Sequence, residues 1–65
     1  MSDSEAKMIR ALIIDDESLA RDVIRHMLQK HADIQIINEY SNGAQALPAI
    51  REEQPDLIFI DIEMP

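Results

Sequence analysis

Cysteine is absent from this 65-residue chain, so no disulfide can staple it. A cysteine-free chain fits a reducing compartment. Glycine occurs once, at Gly43, which excludes the Gly-x-Gly-x-x-Gly loop of dinucleotide-binding enzymes. Basic residues are scarce: 6 Lys and Arg stand against 13 Asp and Glu, giving a net charge of −7 and a pI near 4.5. Phosphate contacts are made chiefly by Lys and Arg, so this segment is not a nucleic-acid reader. No apolar run approaches the ~18 residues of a membrane span, and the N-terminus lacks the basic-then-apolar pattern of a signal peptide. The expectation is a cytoplasmic protein with no membrane partner.

Against these absences stand two apolar runs that each end in acid. Ala11-Leu12-Ile13-Ile14 runs into Asp15-Asp16-Glu17, and Leu57-Ile58-Phe59-Ile60 runs into Asp61, followed by Ile62-Glu63-Met64-Pro65. Short runs of this kind read as strands buried on both faces of a parallel sheet. If the strands are neighbours, about 4.8 Å apart, Asp15, Asp16 and Asp61 crowd together at the carboxyl edge, where open α/β folds place their ligands. Carboxylates at 4 Å repel by roughly 1 to 4 kcal/mol per pair, depending on the effective dielectric. A hard divalent cation is the natural counterweight.

The rest of the chain alternates regularly. Residues 1–7 are polar and charged and read as a flexible leader. A strand is predicted over 9–14. A helix follows from Ser18 to about Lys30, with Leu19, Ala20, Val23, Ile24, Met27 and Leu28 forming one apolar stripe and Met27 expected in the core. Glu17 stands four residues before Arg21, the favoured orientation for an ion pair, and Lys30 and His31 suit the helix's negative end. Residues 34–39, with Ile34, Ile36 and Ile37 among polar neighbours, predict an edge strand. Ser41-Asn42-Gly43 caps a second helix over 44–53 with Ala46, Leu47 and Ile50 inward, and Pro48 predicts a kink or a delayed start. Gln54-Pro55-Asp56 ends that helix before a third strand, 57–60. The order β-α-β-α-β with short connections predicts an α/β fold with a parallel sheet and right-handed crossovers. His26 and His31 read as solvated, because no cysteine or second histidine stands at metal spacing.

These residues resemble the first half of a response-regulator receiver domain of two-component signalling, from about Met8 to Pro65. The resemblance rests on Asp15-Asp16, on Asp61-x-x-Met64-Pro65, on Ser41-Asn42-Gly43 with Ala46-Leu47, and on the run from Pro55 to Ile60. The stretch Asp16-Glu17-Ser18-Leu19-Ala20-Arg21 is similar to receivers that precede LytTR-type DNA-binding domains. The resemblance implies a flavodoxin-like fold, here truncated to strand order 2-1-3. It implies that Asp61 accepts a phosphoryl group from a phosphohistidine on a sensor histidine kinase, and that the protein assists this transfer rather than acting as an enzyme on other substrates. It further implies a Mg²⁺ site made by the side chains of Asp16 and Asp61 and the backbone carbonyl of Glu63, with Asp15 reaching the metal through water. Control of transcription would pass through a C-terminal DNA-binding output domain. The Ser or Thr and the Lys with which receivers contact the phosphoryl oxygens follow the fourth and fifth strands, beyond Pro65.

Taken singly, the acidic cluster at 15–17 is ordinary helix-start chemistry and Asp61 an ordinary strand end. Their joint occurrence, 45 residues apart from Asp16 to Asp61 in the right alternation and with Met64-Pro65 after, favours the receiver. Two other readings compete with it. Asp61-Ile62-Glu63 is also the Asp-x-Glu pattern of Toprim-type metal-dependent phosphoryl-transfer enzymes, which need a further Glu after an earlier strand, here Glu39. A receiver-like interaction module whose Asp61 is never phosphorylated is the other.

In strand order 2-1-3 the third strand becomes an apolar edge. Burial by so short a segment falls short of a conformational entropy cost of roughly 1.5 kcal/mol per ordered residue. Residues 1–65 alone are therefore expected to self-associate through strand three, to exchange elements between copies, or to stay partly unfolded. Analytical ultracentrifugation with far-UV circular dichroism separates these outcomes, and Phe59→Lys should weaken association through the strand. A monodisperse monomer with a cooperative melt would contradict the expectation.

Overall fold

The computed structural model of the protein describes residues 8–60. The expected leader, 1–7, and the segment 61–65 lie outside the described residues. Three strands, β1 (Ile9–Ile14), β2 (Ile34–Tyr40) and β3 (Leu57–Ile60), alternate with two helices, α1 (Ser18–Leu28) and α2 (Gly43–Glu53). The sheet is parallel and ordered β2-β1-β3, as the flavodoxin-like pattern requires. α1 links β1 to β2 and α2 links β2 back across β1 to β3, so the right-handed rule for parallel crossovers assigns the two helices to opposite faces. β1 lies between the other two strands, which is why its run has no polar residue from Ala11 to Ile14. Ala11, Leu12 and Ile13 are completely buried and Ile14 nearly so. Burying a side chain such as Leu12 or Ile13 stabilises by about 1.5 to 3 kcal/mol.

α1 is shorter than its apolar period suggests. It ends at Leu28 rather than near Lys30, because Lys30 N–H bonds the Met27 carbonyl and His31 N–H the Leu28 carbonyl, tightening the last turn to i→i−3 spacing. Ala20, Ile24 and Leu28 pack inward, whereas Leu19 (75% exposed), Val23 and Met27 (57% exposed) face outward. Met27 is therefore not a core residue. The stripe is wider than the surface that β1 and β2 offer, and only its inner edge is covered. The expected Glu17–Arg21 ion pair is replaced by longer-range partners of Arg21, described below.

Asn42 caps α2: its side-chain oxygen accepts the Gln45 N–H at 2.8 Å. The helix starts at Gly43 without delay and continues through Pro48. Pro48 and Ala44, whose carbonyl loses its donor to the proline, are both exposed, so water can satisfy that oxygen. Ala46 is fully buried, while Leu47, expected inward, is 52% exposed. Gln54 ends the helix in the left-handed conformation (φ 49°), its N–H bonded to the Ile50 carbonyl.

One side chain ties the amino end of the sheet to the end of α2. Arg10 donates through Nη1 to the Glu53 carbonyl (2.6 Å) and the Gln54 carbonyl (3.3 Å), and through Nη2 to Glu53 Oε1 (3.1 Å). Its backbone exchanges two bonds with Asp56, N–H to Oδ2 at 2.9 Å and carbonyl from Asp56 N–H at 2.8 Å. A cation here meets the negative end of the helix dipole. Because Arg10 is partly exposed, screening limits this clamp to about 1 kcal/mol. Arg10→Met should lower stability by about that amount in urea denaturation of the intact protein, and an unchanged midpoint would contradict the clamp.

Candidate functional site

The carboxyl end of β1 carries Asp15 and Asp16, and the fold treats the two differently. Asp15 continues the sheet: its N–H donates to the Tyr40 carbonyl at 3.0 Å, one step past the Ile14–Tyr40 pair of the β1–β2 ladder. Asp15 is 5% exposed, the one buried polar residue among the described residues. Its Oδ1 accepts the Glu17 N–H at 2.9 Å, an i→i+2 loop that turns the chain into α1. Its carbonyl accepts Arg21 Nη1 at 2.6 Å. Asp16 is exposed at the rim. Part of the ordinary reading is thus present, since one acid of the cluster supports the start of the helix.

Beside this turn lies an ion-pair cluster. Glu39, on β2, accepts Arg25 Nη1 through both carboxylate oxygens (3.0 and 2.8 Å) and stands 3.7 Å from Arg21 Nε. Arg25 also pairs with Asp22. Hydrogen bonding to Glu39, then to Asp22, raises the Arg25 pKa above its ordinary value. Glu39 reaches α1 from the same strand whose Asn38 and Tyr40 bond each other, Asn38 Nδ2 to Tyr40 Oη at 3.0 Å, as alternation to the opposite face allows. A register shift in β2, where Ala11 pairs Ile36 but Leu12 pairs Asn38, sets which side chains of this strand face α1. Sequence reading missed Arg21 and Glu39 as neighbours of the site. The available signal was Glu39 itself, an acid near the end of the strand beside α1. Held between two arginines, Glu39 is poorly suited to the free catalytic carboxylate of a Toprim-type site.

β3 completes the edge. Its register against β1 pairs Ile13 with Phe59 and Ile14 with Ile60, so Ile60 stands beside the last residue of β1. Asp15 and Asp16 follow one strand, and in sequence Asp61 follows the other. Asp61 and Glu63, the other expected site residues, lie outside the described residues. Among the described residues no group of three or more His, Cys, Asp or Glu side chains gathers as a metal site. His26 and His31 are exposed. The donors that the fold does bring to this edge are carboxylate oxygens, the ligand chemistry of a hard divalent cation such as Mg²⁺. Among the described residues no helix is long and apolar enough to cross a membrane.

Comparison with known proteins agrees with this architecture. Residues 11–65 match the model of the response regulator receiver domain, and the chain belongs to that family. It is similar to the transcriptional regulatory protein BtsR of Escherichia coli (strain K12), 47% identical over 58 residues that cover 89% of this chain and 24% of that protein. It is 48% identical to an uncharacterized response regulatory protein of Shewanella oneidensis, again over 89% of this chain and 25% of the relative. A protein-glutamate methylesterase/protein-glutamine glutaminase of Methanospirillum hungatei is 53% identical over the same share of this chain and 17% of its own length. The chain thus spans a quarter or less of these relatives.

Proposed function

We propose that this receiver domain is phosphorylated on Asp61 by a sensor histidine kinase. The carrying observation is the Ile14–Ile60 pair at the carboxyl end of β1, which brings the start of the Asp15-Asp16 turn beside the residue that precedes Asp61 in sequence. An aspartate is ionised at neutral pH and needs no general base to act as nucleophile. One Asp61 carboxylate oxygen forms the new P–O bond as the P–N bond of the phosphohistidine breaks, and the imidazole nitrogen leaves with the bonding electron pair. The side chains of Asp16 and Asp61 and the carbonyl of Glu63 would hold Mg²⁺, with Asp15 acting through water. When bound, the metal supplies positive charge that offsets the carboxylates and the incoming phosphoryl oxygens. Asp15, buried and engaged by Glu17 N–H, keeps the turn in shape for its exposed neighbour Asp16.

Transcriptional control by a DNA-binding output is the reading for the whole protein. The name of the BtsR relative supports it, as does the Asp16-to-Arg21 stretch with its likeness to receivers that precede LytTR-type domains. The methylesterase relative carries a different activity, so the output is identified by the segment beyond the receiver. The place of action is the cytoplasm, where a kinase and a DNA target are both in reach.

Incubating the intact protein with a small phosphodonor and Mg²⁺ should add one phosphoryl group by mass, and Asp61→Asn should abolish it. Labelling that survives the substitution would place the acceptor elsewhere.

A further inference from the structure

We infer that Arg21 is a positioning residue for the acidic turn, orienting Asp16 from the first helix and anchored in turn by Glu39. The inference deepens the phosphoacceptor reading, on which its metal-binding consequence rests. The geometry is specific. Arg21 Nη1 donates at 2.6 Å to the carbonyl of Asp15, the oxygen of the peptide that joins Asp15 to Asp16. A peptide unit is planar, so fixing that oxygen fixes the plane from which Asp16 departs. The peptide before it is held too, because Asp15 N–H bonds the Tyr40 carbonyl. Asp16 itself is exposed and takes no hydrogen bond from the described residues through its side chain. Its main-chain position is therefore set by the bonds on either side of Asp15.

Arg21 is held in its turn. Its Nε lies 3.7 Å from Glu39 Oε1, and both side chains are largely buried, at 22% exposure each. Glu39 also receives Arg25, so the carboxylate stays anchored to α1 while Arg21 reaches past it to the turn. The guanidinium donates one hydrogen bond to the turn through Nη1 while its Nε stays at ion-pair distance from Glu39, a spread of charge that a lysine ammonium does not offer in the same way. Pairing with Glu39 also moderates the repulsion that Arg21 would otherwise exert on a cation at the same edge. Residues one step behind a metal ligand commonly change metal affinity 10- to 100-fold when replaced.

Arg25 offers an internal control, because it shares Glu39 with Arg21 and bonds Asp22 without touching Asp15. The test compares the intact protein with Arg21→Gln and Arg25→Gln, by amide hydrogen exchange without metal and by Mg²⁺ titration followed in the amides of Asp15, Asp16 and Glu17. In Arg21→Gln, exchange at the hydrogen-bonded amides of Asp15 and Glu17 should quicken about tenfold relative to Leu12 and Ile13 in the core, and Mg²⁺ should bind about tenfold more weakly. In Arg25→Gln both changes should be clearly smaller than in Arg21→Gln, because the bond from Arg21 to the Asp15 carbonyl remains. Equal acceleration at the core amides and at the turn in Arg21→Gln would reduce Arg21 to a general stabiliser and overturn the inference. So would a native exchange pattern at the turn, or an equal Mg²⁺ loss in Arg25→Gln. A native protein whose amides ignore millimolar Mg²⁺ would defeat the metal reading instead, and the exchange data would still decide whether Arg21 holds the turn.

Discussion

The structure depends on the complete burial of one strand. Ala11, Leu12, Ile13 and Ile14 have a strand on each side and lose nearly all contact with solvent. That environment admits no polar side chain without a partner, so the first polar residues of this stretch must come where the strand leaves the sheet. Asp15 is the boundary case: still buried, it is accepted because N–H, carbonyl and one carboxylate oxygen all find partners. Asp16, one residue on, is already exposed. The hydrophobic constraint thereby delivers a carboxylate to the carboxyl edge of the sheet, next to the pairing of Ile14 with Ile60 of the parallel neighbour.

Both ends of the sheet are tied by an arginine that donates to main-chain carbonyls across element boundaries. At the amino end Arg10 reaches the last carbonyls of α2, and at the carboxyl end Arg21 reaches the first carbonyl after β1. The two differ in surroundings. Arg10 meets a helix terminus with one acid, Glu53, nearby, whereas Arg21 shares Glu39 with Arg25 between helix and edge strand. The first arrangement holds an element in place, and the second lies against the turn that carries the candidate ligands. In a chain of net charge −7 both arginines are placed where an acid and a carbonyl converge.

The order and approximate positions of strands and helices were legible because two signals agreed at most boundaries, the end of α1 being the exception. Apolar runs of four to six residues marked strands, and Asn42, Gln54-Pro55 and Asp15-Asp16 marked their limits. Strand order 2-1-3 followed from the receiver resemblance together with the weaker hydrophobicity of 34–39. The inward face of α1 was harder to read: periodicity shows that Leu19, Val23 and Met27 belong to an apolar stripe, but not how much of it the sheet covers. Arg21 was assigned the acid one helical turn before it, Glu17, whereas the folded chain offers a buried carbonyl and Glu39, a contact set by the pairing of β1 with β2 and its one-residue shift. Of the site, Asp15 and Asp16 stand at the strand end the sequence indicates. Their unequal burial was not legible, because it depends on the Tyr40 carbonyl arriving from another strand.

The proposed cation site at the carboxyl edge of the sheet rests on the register of β1 against β3. Mn²⁺ shares the octahedral oxygen preference of Mg²⁺ and broadens nearby NMR signals, so it reports the position of such a site directly. Titrated into the intact protein, it should broaden the amides of Asp15, Asp16 and Asp61 first and leave those of Arg10 and Asp56, at the opposite end of the sheet, sharp. Magnesium in excess should restore the lost signals. Broadening that begins at the Arg10 end, or that spreads evenly over the acidic surface, would contradict the account.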